Sequence, residues 1–453
     1  MAVEITRTPS SNGNQKIWTW SGWIKKATVG MGSGDYQMLF TANIGSGSRY
    51  TDVFFREDYF EVFGGVYSTS TTTVDINVST NRKFRDPSAF YHLVVAVDTT
   101  QATASNRVKI YVNGVQETSL KNYQGSSVVY PAQNNNTFMN VTTAQNRIGA
   151  SGGSYPFKGL MTHVHFVDGT AYDASTFGET DSTSGIWTPK TNPSVTYGTN
   201  GFFLKFENSG NMDLDSSGNN LTFSTSGTLT QNVDTPTNNF VTFNPLRPNS
   251  ISQTYSNGNN TFIRTGTGGQ MNGTLGVTSG KWYYECLLDD YWQYLGWTAL
   301  PLNTSQTAAC SASGSGFYGL YSNASEVYTY ANGSNTSQGS YTAMASGQFW
   351  GIAFDADNAK MYFSVNGVWE NSSNPANQTN PAMSSIPVTD FLVPAIGQGT
   401  GSRSSTIKLN FGSGYFGTTV AGTNADANGH GKFKYSVPSG YYTLNTKNLK
   451  EFG

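Results

Sequence analysis

The stretch FWGIAFDADNAKMYFSVNGVW, residues 349–369, decides the fold of this chain. Ile352 and Phe354 alternate with Gly351, Ala353 and Asp355; Met361, Phe363 and Val365 alternate with Tyr362 and Ser364. Successive side chains of a strand point to opposite faces, so this is period two stated twice: two strands, each with one buried face. Asp355-Ala-Asp-Asn is the turn between them. Asn366-Gly367 is a second turn, because both residues tolerate the positive φ of a type I′ hairpin. The same statement is made earlier, in HLVVAVDTTQATASNRVKIYVNGV, residues 92–115. A strand ends at Asp98, a polar turn follows, and Val108, Ile110 and Val112 alternate up to Asn113-Gly114. Val112-Asn113-Gly114-Val115 and Val365-Asn366-Gly367-Val368 are one tetrapeptide at one point of two similar units. The expectation is an all-β chain of two consecutive β-sandwiches.

Composition supports that reading. At 453 residues the chain is long enough for two or three domains, each with its own core. Charged residues are 12% of the chain and aromatic residues 14%, with Gly, Ser, Thr and Asn abundant, a profile of short strands and polar turns. Aromatic and β-branched residues are too plentiful for a disordered chain, and a net charge of −2 offers no field for nucleic acid. No run reaches the length of a membrane span, and MAVEITRTPSSNG lacks the apolar centre of a signal peptide. Cys286 lies in an alternating strand and Cys310 in a Ser/Ala/Gly loop, so a disulfide framework is not expected. An extracellular binder's surface chemistry without a secretion signal or disulfides fits a protein that folds in a host cytoplasm and leaves by lysis, as virion proteins do.

Taken in order, WTWSGWIKK at 18–26, YHLVVAVD at 91–98, VKIYVNGVQ at 108–116, and RIGA with FKGLMTHVHFVDGTAYDASTFG at 147–178 carry a resemblance to the laminin-G/pentraxin-like, concanavalin-type jelly roll. The version with Ile186-Trp-Thr-Pro189, FFLKFENSGN and TPTNNFVTFNPL resembles modules of marine bacteriophage structural proteins. Pro245, Pro248 and the Asn/Ser-rich run that follows mark a connector at 245–260, dividing a first domain, 1–246, from a second, 247–453. In the second, Ser279-Gly-Lys-Trp-Tyr-Tyr-Glu-Cys286, Tyr294-Leu-Gly-Trp297, Gly316-Phe-Tyr-Gly319, the 349–369 unit, Val393-Pro-Ala395 and Ile407-Lys-Leu-Asn-Phe-Gly412 resemble the SPRY domain over 279–417. That resemblance implies another concanavalin-like sandwich, used for recognition. The tail through Leu449 either packs on the sandwich or docks on a partner.

Candidate chemistry is sparse. A laminarinase-type hydrolase needs Glu-x-Asp-x-x-Glu, with its carboxylates on one strand face flanking the sugar. The nearest stretch, Glu57-Asp58-Tyr-Phe-Glu61, puts Glu57 and Glu61 on one face and Asp58 on the other. His163 and His165 share a strand face without a carboxylate or Cys at metal-ligand spacing, so they read as structural. His92 and His430 stand alone. Asp213, Asp215 and Ser217 alternate before Gly218 and begin like a calcium loop, but Ser224 stands where the bidentate Glu belongs; an Asx turn without an ion is the other reading. Trp18, Trp282, Trp297 and Trp350 lie in alternating patterns and are assigned to the core. Trp292, Tyr294, Tyr328 and Tyr330 lie in loop-like polar stretches of the kind that form the SPRY ligand surface, and a flat ring stacks on the apolar face of a pyranose. Rings that merely cover strand ends are the alternative.

The expectation is therefore a non-catalytic phage virion protein, a fibre or decoration protein that adheres to host-surface glycan and contacts other virion proteins, in many copies or as a homo-oligomer. No cofactor other than calcium at Asp213 and Asp215 enters. The alternatives are a purely structural assembly protein and, less favoured, a glycan-degrading enzyme.

Overall fold

The computed structural model describes residues 2–44, 49–67, 72–123, 125, 127–246, 253–266, 269–301, 310–399 and 403–453. The chain divides into two compact units, residues 1–231 and 232–453. This division differs from the expected 246/247, of which residues 247–252 lie outside the described residues. Its reason is packing: Val241 and Phe243 are buried in the second core, Phe243 bridges to Gly273 and Phe240 to Asn445. The stretch TPTNNFVTFNPL thus belongs to the second sandwich.

The first unit is a jelly roll of two antiparallel sheets. One is eight-stranded, in the order Leu120–Lys121, Thr72–Lys83, Tyr59–Tyr67, Arg49–Arg56, Tyr36–Asn43, Gln145–Ile148, Glu4–Arg7, Ser224–Ser226. The other is six-stranded: Phe202–Leu204, Gly159–Asp168, Ile17–Lys26, Tyr91–Asp98, Val108–Val112, Val115–Glu117. Phe202–Leu204 is an edge strand of this sheet. Alternation does the folding here: Trp18, Trp20 and Ile24 face inward onto Phe40, Val53, Phe60, Val95 and Phe166, while Trp23 faces outward onto His92.

The second unit repeats the plan. Its larger sheet runs Gln253–Ser256, Thr261–Gly266, Arg403–Asn410, Lys281–Leu288, Phe349–Asp355, Lys360–Val365, Val368–Trp369. Its smaller sheet runs Gln270–Asn272, Leu392–Gln398, Gln293–Ala299, Phe317–Ser322, Val327–Ala331, Ser334–Ser337. Trp282, Trp297 and Trp350 are fully buried between them, as expected. Thr446–Phe452 is the α-helix among the described residues, and among these residues no helix is long and apolar enough to cross a membrane.

Register shows how far the two units match. Asn113 and Asn366 have φ of 47° and 50°, and Gly114 and Gly367 of 86° and 84°, the positive values a type I′ turn needs. The His92 N–H donates to Asn113 Oδ1 at 2.8 Å and the Phe349 N–H to Asn366 Oδ1 at 3.0 Å. Counting from these anchors, Trp18 opposite Val97 matches Trp282 opposite Phe354, and Ser21 opposite Val94 matches Glu285 opposite Gly351. The match extends to segments far along the chain. A Cβ on Gly114 would lie 2.9 Å from the Trp187 ring, and one on Gly367 would lie 2.5 Å from the Tyr435 ring. In each unit a later segment crosses the outside of one sheet and seats an aromatic ring on the hairpin glycine.

That segment is a strap. In the first unit it carries Ala174, Phe177, Trp187 and Tyr197 over Val94, Val167 and Phe203. In the second, Phe433 and Tyr441 cover Tyr283, Ala353 and Tyr362. The tail therefore packs on its own sandwich.

Candidate binding faces

The strap in each unit covers one sheet and leaves the outside of the other to its own side chains. In the second unit that outside is a tyrosine face. Tyr294, Tyr321 and Tyr328 are register partners across three neighbouring strands. Tyr294 stacks on Tyr321 with ring centroids 4.4 Å apart, and Tyr321 on Tyr328 at 6.4 Å. Tyr330 meets Tyr294 and Tyr321 edge-on at 5.3 and 5.8 Å. Such offset and edge contacts suit ring quadrupoles and hold the rings rigid.

This arrangement changes the expected site in two ways. The tyrosines are strand residues aligned by register, whereas the polar sequence around them read as loop. Tyr294 is only 3% exposed, packed with Cys310, Phe317 and Ala395, so it is a supporting core residue and not a ligand contact. Tyr321, Tyr328, Tyr330 and Trp292 are half-buried. Trp292 is held at φ 70° by its N–H donating to Ser322 O at 2.9 Å and its carbonyl accepting from Gly399 N at 2.7 Å. Beyond Tyr328 the edge strand Ser334–Ser337 is fully exposed.

The carboxylates of the first unit scatter. Glu57 and Asp58 are the turn between Arg49–Arg56 and Tyr59–Tyr67, with Glu57 at φ 55°. The expectation that Glu57 and Glu61 share one strand face is thus corrected: a hairpin reverses between them. Glu57 accepts from the Tyr123 hydroxyl. Asp58 is buried and accepts from Lys26 Nζ at 3.3 Å, Arg85 Nε at 2.6 Å and the Gly30 N–H. Burial lowers the Lys26 ammonium to about 8. Glu61 pairs with Arg56 at 3.0 Å. Each of the three carboxylates thus has partners of its own.

A Ser–His contact exists that spacing did not show: Ser21 Oγ lies 2.9 Å from His92 Nε2. Trp187 Nε1, which can only donate, binds His92 Nδ1 at 3.0 Å. Nδ1 is therefore the acceptor and Nε2 carries the proton, the opposite of what activating the serine requires. Burial lowers the ring's pKa to about 3, so it stays neutral. His163 sits at a bulge with φ 48°, is lowered to about 4 by burial, and binds Thr162 Oγ1 at 3.0 Å. His165 stacks on Phe203 at 3.9 Å and contacts the Tyr197 hydroxyl at 2.9 Å. Both histidines pack on Phe203.

At the calcium-like loop, Asp215 Oδ1 accepts from the Phe203 and Ser217 N–H groups, and Oδ2 from Ser217 Oγ and the Leu221 N–H. Asp213 turns to Thr225 Oγ1 at 2.8 Å. Loop donors occupy the lone pairs a calcium ion needs, as in an Asx turn. Calorimetric titration with calcium is expected to give no heat in the wild type or in Asp215→Ala; heat lost in the variant would restore the metal reading. Among the described residues no cluster of three His, Cys, Asp or Glu side chains is arranged for a metal.

The outside of the first unit's larger sheet was not singled out from sequence. Thr41, Asp52, Phe63 and Asn77 form one register row across four strands, and Met38, Phe54, Glu61 and Ser79 the next. Thr41 Oγ1 donates to Asp52, whose carboxyl is pushed up to about 7 by burial. Burial also raises Glu61. Arg56 spreads over the rings of Tyr36, Phe54, Phe63 and Tyr123 at 4.6–5.9 Å.

Residues 3–175 match the profile of a family described as Concanavalin A-like lectin/glucanases superfamily. No curated protein matches. Solved structures similar to the chain include the SPRY domain of human HERC1, at 17% identity over 35% of this chain and 91% of that one, TM-score 0.27. The TRIM65 PSpry domain is 16% identical over 38% of this chain and 91% of that one, TM-score 0.29. Stonustoxin is 18% identical over 38% of this chain and 27% of that one, TM-score 0.28.

Proposed function

We propose that this chain is a non-catalytic recognition protein of a bacteriophage particle, a fibre or decoration protein that binds host-surface glycan through the tyrosine face of its second unit. The observation that carries the binding reading is the ladder Tyr294–Tyr321–Tyr328, buried at one end and half-exposed at the other. Rigid Tyr rings give contact area with little rotamer entropy left to lose. The phage setting rests on the sequence resemblance of the Ile186-Trp-Thr-Pro189, FFLKFENSGN and TPTNNFVTFNPL segments. The separate fates of Glu57, Asp58 and Glu61 and the inverted Ser21–His92 polarity favour the absence of catalysis.

A structural, assembly role is favoured by a different observation. Val115 and Val368, the first residues after the two matched Asn-Gly turns, are 71% and 70% exposed, and Ile186 and Val420 are also exposed. Such residues suit contacts with other virion proteins or further copies of the chain.

Tyr328→Ala should cost about 1–2 kcal/mol of single-site glycan affinity, roughly tenfold, with unchanged melting temperature. Adsorption of a multivalent particle should fall more steeply. Binding to host cells measured with purified protein and with particles checks this. Unchanged binding with an intact fold would remove the tyrosine face from recognition.

A further inference from the structure

The sheet that carries the tyrosine ladder is built without charge. Its strands, Gln270–Asn272, Leu392–Gln398, Gln293–Ala299, Phe317–Ser322, Val327–Ala331 and Ser334–Ser337, contain no Lys, Arg, Asp or Glu. From Tyr291 to Phe354 the sequence has a single charged residue, Glu326. Asp289 and Asp290, just before that span, are acidic, and Asp289 accepts the Thr406 N–H at 2.6 Å. Arg403, the first cation after Gln398, begins a strand of the larger sheet.

Glu326 stands where the ladder is open. It ends the turn between Phe317–Ser322 and Val327–Ala331, two residues before Tyr328, and is exposed. Asn323 Nδ2 donates to its Oε2 at 2.9 Å, and the Tyr328 hydroxyl donates a second bond. Asn323 Oδ1 also accepts the Glu326 N–H at 2.7 Å, which fixes backbone and side chain together. The bonds from Asn323 and Tyr328 hold the carboxyl below its ordinary value, so it is ionised at neutral pH. A carboxylate has about four lone-pair sites, and those left over face solvent beside the Tyr328 ring. On the far side of the ladder, Asn335 Nδ2 lies 3.4 Å from the Tyr330 hydroxyl, and Ser337, opposite Tyr328, is exposed.

We propose that the tyrosine ladder selects neutral, hydroxyl-rich glycans and rejects acidic ones, and that Glu326 sets this specificity by accepting sugar hydroxyls beside Tyr328. The inference rests on the glycan-binding reading of this face. A pyranose stacked on Tyr328 and Tyr321 turns its edge hydroxyls towards the carboxylate, and a bond to an ionised acceptor is about twice as strong as a neutral one. A uronic acid, sulfate or phosphate group brings a second negative charge to the same point, and the strands of the sheet offer no cation to offset it. Specificity then comes from a repulsive element as much as from an attractive one.

Binding of the full chain to an array of neutral oligosaccharides and their sulfated and uronic counterparts tests this. The signals lost in Tyr328→Ala should lie on neutral glycans, about tenfold or more above the acidic counterparts. Glu326→Gln, of the same shape, should weaken neutral binding about threefold and narrow that gap. Glu326→Lys should reverse the preference. Glu179→Lys, the same charge reversal at an exposed position of the first unit, should change neither. Acidic glycans bound as strongly as neutral ones, both through Tyr328, would overturn the charge selection and leave the face as a glycan site. No signal lost in Tyr328→Ala would overturn the glycan reading and this inference with it. An unchanged preference in Glu326→Lys, or equal gains for acidic glycans in both lysine variants, would remove Glu326 from the role. Melting temperatures confirm the fold of each variant, and Glu326→Gln decides the matter should the lysine variant unfold.

Discussion

Replacing Glu285 with alanine is expected to release the strap of the second unit, costing about 3 kcal/mol. Glu285 is fully buried at the position that Ser21 holds in the first unit. Its Oε2 accepts from the Lys434 N–H at 2.9 Å and its Oε1 from the Tyr435 N–H at 2.8 Å. Tyr283 adds a hydrogen bond at 3.1 Å and Asn410 one at 3.4 Å. Alanine leaves two backbone donors without partners, each worth about 1–3 kcal/mol. For a unit of this size 3 kcal/mol corresponds to a melting shift of roughly 6–12 °C. The loss should be local first: amide exchange at 432–444 should accelerate while the strands Lys281–Leu288 and Phe349–Asp355 stay protected. A uniform loss of protection across the unit would mean that Glu285 supports the whole sheet and that the strap is no separate element. Tyr435, seated on Gly367, reports on the same docking, since the ring cannot stay there once the carboxylate no longer holds its own backbone.

What the sequence shows and what it hides follow from the range of each interaction. Alternation and Asn-Gly turns are local, so the strands at 92–115 and 349–369 and the buried tryptophans could be read directly. The Glu57-Asp58 turn carries no such signature, so Glu57 to Glu61 reads as one strand. The straps were unreadable for another reason. Trp187 meets Gly114, and Tyr435 meets Gly367, only after the sandwich has formed, and no periodicity relates a ring to a glycine some seventy residues away. The row Thr41, Asp52, Phe63, Asn77 has the same origin: each residue is an ordinary outward position of its own strand, and only register aligns them. Tyr294 shows the converse. Its polar neighbours suggested a loop, but its partners Ala395 and Phe317 lie on other strands and bury it.

Asp52→Asn should stabilise the first unit at pH 8 and leave it unchanged near pH 3. Asp52 carries an ordinary carboxyl value of 3.8 when unfolded and about 7 in the fold, raised by burial, with Thr41 opposing and the nearby Glu61 adding to the rise. A folded pKa above the unfolded one means that the folded state binds the proton more tightly, so stability is full below about 4 and declines as pH rises towards 7. Above 7 the loss is complete and constant. The difference of about three units corresponds to at most roughly 4 kcal/mol, and relaxation around the carboxylate reduces it. Asparagine resembles the protonated acid at every pH and can still accept the Thr41 hydroxyl, so the gap between variant and wild type should open between pH 4 and 7 and reach about 2–4 kcal/mol. Thermal melts at pH 3.5, 5.5 and 8 measure it. A gap of equal size at all three values would place the effect in packing and not in ionisation; a variant less stable at pH 8 would show that the ionised carboxylate is already satisfied.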